Sequence, residues 1–92
     1  MQFTTETRSD FTIISFELDG PIEPSQLSQI DLPKVDLKKG VVLSGRGPVW
    51  LYAALVHELH PAAWVATHDP RLGAVVVMSH TPGRKLGEVI EL

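Results

Sequence analysis

The chain has 92 residues, a formal net charge of −3 and no cysteine. A chain this short has room for one domain and buries only about 60 to 65% of its unfolded surface, so a monomer is expected to be thinly stable. Without cysteine there is no disulfide framework and no thiolate metal site. The charge is too acidic to coat nucleic acid electrostatically, and 43% apolar residues exclude a disordered chain. The apolar run Val49 to Val56 falls far short of the ~20 residues of a membrane span. Met1-Gln2-Phe3-Thr4-Thr5-Glu6 lacks the basic-then-apolar order of a signal peptide. The expectation is one cytoplasmic domain over 1–92 that gains core by self-association.

Residues 2–18 read as a β-hairpin. Ser9-Asp10 marks the turn, and Ile14, Phe16 and Leu18 alternate onto one face. Asp19-Gly20-Pro21 ends it. Pro24 suits the first position of a short helix with Leu27 and Ile30 on its buried side. Residues 31–40, with Pro33 and Lys38-Lys39-Gly40, form an irregular connection. Val41 to Ser44 is a strand buried on both faces. Gly45-Arg46-Gly47 leads into a helix over 48–60, which Pro61 stops. That helix is apolar nearly all round and is expected to be buried on more than one side. Residues 62–67 read as a second central strand, and Asp69 to Gly73 as a tight turn. Leu72 to Ser79 is an antiparallel return strand, and residues 88–92 a last edge strand. Strand, helix, strand over 41–67 predicts a crossover between parallel strands. The fold class is α/β: a small mixed sheet with an N-terminal hairpin, distantly Rossmann-like.

This topology sorts the polar residues onto two opposite edges. Ligands of open α/β sheets bind outside the carboxyl ends of the strands. That edge carries Ser44, Gly45, Arg46, Gly47, Asp69 and Arg71. Glycines permit close backbone approach, the helix start contributes positive potential, and arginines fork onto phosphate oxygens. A phosphate site is one reading. A helix-entry turn that needs glycine for its dihedrals is the other.

All four histidines lie after residue 40. His57 and His60 share a helix face, about 18 Å from the helix start at 1.5 Å per residue. The return strand carries His80 to the same far edge. Three converging imidazoles suit metal binding or proton transfer; helix-dipole stabilisation or a strand end would place them there equally. His68 reads as surface, Trp64 as core, and Trp50 as core or a stacking surface. Joint chemistry between Asp69 or Arg71 and His60 or His80 needs two subunits, because the edges lie roughly 20 Å apart. Such a contact is heterologous, closing a ring or propagating a filament.

Gly40-Val41-Val42-Leu43-Ser44-Gly45-Arg46-Gly47-Pro48-Val49-Trp50-Leu51 and Asp69-Pro70-Arg71-Leu72-Gly73-Ala74-Val75-Val76-Val77-Met78-Ser79-His80 resemble the small CRISPR-associated ring nuclease family, third of the Csx series. The likeness extends over nearly the whole chain. It implies a manganese-preferring phosphodiesterase of type III CRISPR systems that degrades cyclic tetra-adenylate. It also implies a small relative of the Rossmann-like sensor domains, in which two dimers sandwich the ring. Members are also known as deadenylating exoribonucleases, so 3′ oligo-adenosine RNA is an alternative substrate; a sensor that binds without cutting is a further one. By resemblance, Ser44, Gly45, Arg46 and Arg71 contact the ligand, and His60, Asp69 and His80 serve catalysis. His80 with Asp69 would hold the metal. Histidine and aspartate also suit magnesium, zinc or nickel. Some relatives carry a fused ATPase domain. No membrane partner is expected.

Overall fold

The computed structural model describes residues 1–92. Its frame is one six-stranded mixed sheet in sequential order. The strands are β1 (Gln2–Thr7), β2 (Phe11–Glu17), β3 (Gly40–Ser44), β4 (Trp64–Asp69), β5 (Gly73–Ser79) and β6 (Val89–Ile90). β1 pairs antiparallel with β2 as the expected hairpin. β2, β3 and β4 run parallel, and β5 and β6 return antiparallel. The helix α1 (Val49–Glu58) connects β3 to β4, as a parallel pair requires. The element at Pro24 is a short 3₁₀ helix, Pro24–Gln29. Ala62 and Ala63 precede β4 instead of opening it, and β6 is shorter than expected.

Alternation along each strand divides the apolar residues between two cores. One face gathers Ile14, Phe16, Val41, Leu43 and Val65 under Leu51, Leu55 and Leu59 of α1 and its end. The connection from Leu18 to Val35 packs on that core. The opposite face holds Phe11, Ile13, Val42, Trp64, Ala66, Ala74 and Val76. No helix covers it. The segment after β5 folds back instead, and Arg84 lies 4.9 Å from the Trp64 ring centroid. Arg84 also donates to Asp10 at 2.9 Å and to the carboxylate of Glu88.

The helix departs from expectation. Only Leu51 and Leu55 within it are fully buried, while Val49 is 82% exposed. One stripe meets the sheet, Trp50, Tyr52 and Val56 pack half-buried at its margins, and Val49, Ala53, His57 and Glu58 stay exposed.

Candidate functional site

The edge at the carboxyl ends of β2, β3 and β4 is built around the turn from β3 into α1. Gly45 is required there by space, and Gly47 is closely packed. A Cβ on Gly45 would stand 2.5 Å from the Phe16 carbonyl oxygen and 2.8 Å from its ring. A Cβ on Gly47 would meet Leu51 at 2.9 Å. The Tyr52 hydroxyl, one turn into α1, donates to the Gly45 carbonyl at 2.6 Å. Burial raises the Tyr52 pKa, against the lowering effect of that hydrogen bond, so the phenol stays a neutral donor. Tyr52 also meets Phe16 edge-on, centroids 5.3 Å apart. The turn is thus clamped from β2 and from α1.

α1 begins one residue later than expected, with Pro48 at the N-cap. No side chain caps it, so first-turn N–H groups face outward with the positive end of the helix dipole. Arg46 projects exposed from the turn.

Across β4 the same edge carries His68, Asp69 and Arg71. Asp69 Oδ1 accepts from the backbone N–H groups of Arg71 at 2.7 Å and Leu72 at 3.2 Å, forming the β4–β5 turn. These bonds, Arg71 first, hold the Asp69 carboxyl below the usual range, and the charges of Arg71 and His68 add to them. The Arg71 guanidinium lies 3.8 Å from Asp69 and is 88% exposed.

His68 is where the structure adds most. Its Nδ1 lies 3.0 Å from the Ser44 hydroxyl, and it is half-buried, not a free surface group. The cause is register. β3 and β4 pair Leu43 with Thr67, which sets Ser44 beside His68 on the helix-free face. Alternation from Ala66 gives the face of His68; the partner across the strand gap needed the register.

At the opposite edge the structure brings His60 and His80 together. Their rings are perpendicular, with centroids 5.0 Å apart. A His80 ring nitrogen, Nε2, lies 3.0 Å from the His60 carbonyl oxygen. A carbonyl only accepts, so Nε2 carries a proton, and in the neutral ring Nδ1 keeps its lone pair. That is the arrangement of a metal-ligating imidazole, oriented through its other nitrogen. His80 through Nδ1 could thus serve as one ligand of a divalent transition metal; the edge-to-face packing gives no such direction to His60. A third such side chain does not join them within one chain: no group of three His, Asp or Glu side chains converges. Asp69 stands at the far end of β4, about 17 Å from Trp64 at ~3.3 Å per residue. His57 is exposed in the last turn of α1 and takes no side-chain part in this pair.

No helix is long and apolar enough to cross a membrane. The profile of the family described as CRISPR-associated protein (Cas_csx3) matches residues 15–91, which include both edges. An uncharacterized protein of Aquifex aeolicus (strain VF5) is 47% identical over 87 residues, covering 89% of this chain and 78% of that protein. A match that runs through the glycine turn, the Asp69 turn and the histidine edge leaves one assignment, and the chain belongs to this CRISPR-associated family.

Proposed function

We propose that this chain is a metal-dependent phosphodiesterase that binds and cleaves cyclic tetra-adenylate in type III CRISPR antiviral signalling, at a composite site between stacked dimers. The observation that carries the reading is the separation of two incomplete half-sites. One edge offers Arg46, Arg71, Ser44 and an uncapped helix start without imidazoles other than His68. The other offers His60 and His80 with no third His, Asp or Glu side chain converging on them. Stacking one copy's glycine-turn edge on another's histidine edge completes both. The ring as ligand follows from the family resemblance.

In this reading the phosphates lie on Arg46, Arg71 and the first turn of α1. His80 through Nδ1, and Asp69 of a second copy through its free oxygen, would hold a divalent metal such as manganese. Bound there, it supplies Lewis-acid stabilisation of charge on the scissile phosphate. His60 gives or takes a proton beside it. Ser44, held by His68, orients a phosphate or ribose oxygen.

The test is incubation of cyclic tri-, tetra- and hexa-adenylate with and without manganese, over a range of protein concentration, with products read by mass spectrometry. Manganese-dependent cutting of the tetramer ring, with specific activity rising with concentration, is expected. Faster degradation of linear oligo-adenosine would favour the exoribonuclease reading. Binding with no cleavage would favour a sensor. Full activity in a His60→Ala, Asp69→Ala double variant would overturn the catalytic assignment.

A further inference from the structure

His80 opens the segment that folds back over the helix-free face, and that segment is held in an unusual way. None of residues 80–88 is buried, so no apolar side chain pins it to the core. Its far end joins the sheet through the backbone, where Val76 donates to the Glu88 carbonyl at 2.9 Å and accepts from the Gly87 N–H at 2.9 Å. Its near end is a turn. The Ser79 hydroxyl donates to the Thr81 carbonyl at 2.9 Å and accepts from the Thr81 N–H at 3.2 Å. That carbonyl also accepts from the Arg84 N–H at 3.4 Å, which closes the turn over residues 81–84.

One side chain ties this turn to the rest of the molecule. The Arg84 guanidinium lies 4.9 Å from the centroid of Trp64, a ring buried at the start of β4. It donates to Asp10 at 2.9 Å and to Glu88 through a different nitrogen. Asp10 stands 74 positions earlier, in the turn between β1 and β2, and its carbonyl accepts from the Gly40 N–H at 3.2 Å. A planar guanidinium can stack on a ring and fork to two carboxylates at once. Arg84 therefore clasps the turn to β4 and to the hairpin.

The clasp bears on His80. The His80 N–H donates to the Ala63 carbonyl at 2.8 Å, and beyond that bond the chain leaves the sheet. The His80 side chain is exposed and reaches the His60 carbonyl through Nε2 at 3.0 Å. A single bond at an exposed ring competes with the rotamer freedom of that ring, so the backbone beneath must already aim it. We infer that Arg84 is a positioning residue for His80, its clasp on Trp64, Asp10 and Glu88 setting the turn that aims the imidazole at the His60 carbonyl. The consequence for cleavage rests on the reading of His80 given above; the aim of the ring does not.

Proton NMR of the metal-free full chain tests the aim, through the cross-relaxation signal between the perpendicular rings of His60 and His80. Arg84→Ala is expected to abolish that signal while the signals within the sheet remain. Tyr52→Phe, which loosens the opposite edge, is expected to keep it. A signal kept in Arg84→Ala overturns the clasp. So does a signal lost in Tyr52→Phe as well, since it would then report stability alone. If Arg84→Ala does not fold, Arg84→Lys is read in its place, because one ammonium cannot fork to both carboxylates. Manganese-dependent cleavage of cyclic tetra-adenylate tests the consequence. In the Arg84 variant kcat is expected to fall about tenfold, the low end for a group that orients a metal ligand, with KM little changed. A lost ring signal with kcat unchanged overturns the role given to His80 and leaves the clasp standing. Absence of cleavage in the unaltered chain overturns the proposed function, while the ring signal still decides the clasp.

Discussion

The Ser44 hydroxyl and His68 Nδ1 lie 3.0 Å apart, across adjacent parallel strands at their carboxyl ends. A hydroxyl on a strand end rotates freely unless something holds it. Here the imidazole does so, beside the glycine turn. His68→Ala is expected to weaken nucleotide binding several-fold, since one such bond is worth about 1 kcal/mol. His68→Asn, whose amide reaches the position of Nδ1, is expected to restore most of it. Equal loss in both variants would show that His68 acts by packing alone.

Tyr52 ties α1 to the turn it follows, through 2.6 Å to the Gly45 carbonyl. Tyr52→Phe keeps the edge-on contact with Phe16 and deletes only that bond. Thermal unfolding should fall by about 4 to 8 °C for a loss near 1 kcal/mol in a domain of this size. An unchanged midpoint would mean the carbonyl finds water as good a partner.

Much of this arrangement is legible in the sequence, and the limits are physical. Val41 to Ser44 and Leu72 to Ser79 are apolar runs bounded by glycine or polar residues, and they are β3 and the core of β5. Ser44, Asp69 and Arg71 fall on one edge, and His60 and His80 on the other, because strand direction alone dictates it. The Ser44–His68 pair is different. It depends on the β3–β4 register, which no single strand's alternation contains. α1 misleads in another way. Its apolar surface predicts burial on several sides, whereas one chain fully buries only Leu51 and Leu55 and leaves Trp50, Tyr52 and Val56 half-covered. A sequence records surfaces that any copy of the chain can bury.

Gly40 is a further residue whose meaning needs the structure. In the sequence it ends an irregular stretch; in the fold Trp64 occupies the space of its missing side chain. A Cβ there would stand 1.9 Å from the Trp64 ring. The indole is fixed between Phe11, at 5.7 Å, and Arg84. Gly40→Ala should cost at least about 3 kcal/mol, the upper end of ordinary overpacking. Adding Trp64→Phe should recover part of that loss in urea unfolding. No recovery would place the strain in the backbone and not in the ring.

The segment that covers Trp64 should be sensitive to acid. Glu88 accepts from the Lys85 backbone N–H and from Arg84, and these bonds, in that order, lower its pKa from the ordinary value near 4.5. A depressed carboxyl pKa contributes stability above the unfolded value, lost as pH falls through the folded one. Glu88→Gln should therefore unfold at lower urea than the unaltered chain at pH 7. The two curves should converge in acid, below the folded Glu88 pKa. A constant gap across that range would assign the loss to packing.

The composite site makes a prediction that no single-chain site shares. Asp69→Ala spoils only the glycine-turn edge, and His80→Ala only the histidine edge. Each variant alone is expected to lose nearly all ring cleavage, because every junction between copies then lacks one group. Mixed in equal amounts, the two variants form four kinds of junction. In one of them a His80→Ala copy presents intact Asp69 to the intact His80 of an Asp69→Ala copy. Random stacking should then restore about a quarter of the original activity. The recovery should scale with the square of total concentration when assembly is limiting. If both groups acted within one chain, mixing would restore nothing, because no copy would hold both. The measurement is ring cleavage against mixing ratio, with a maximum expected at equal amounts.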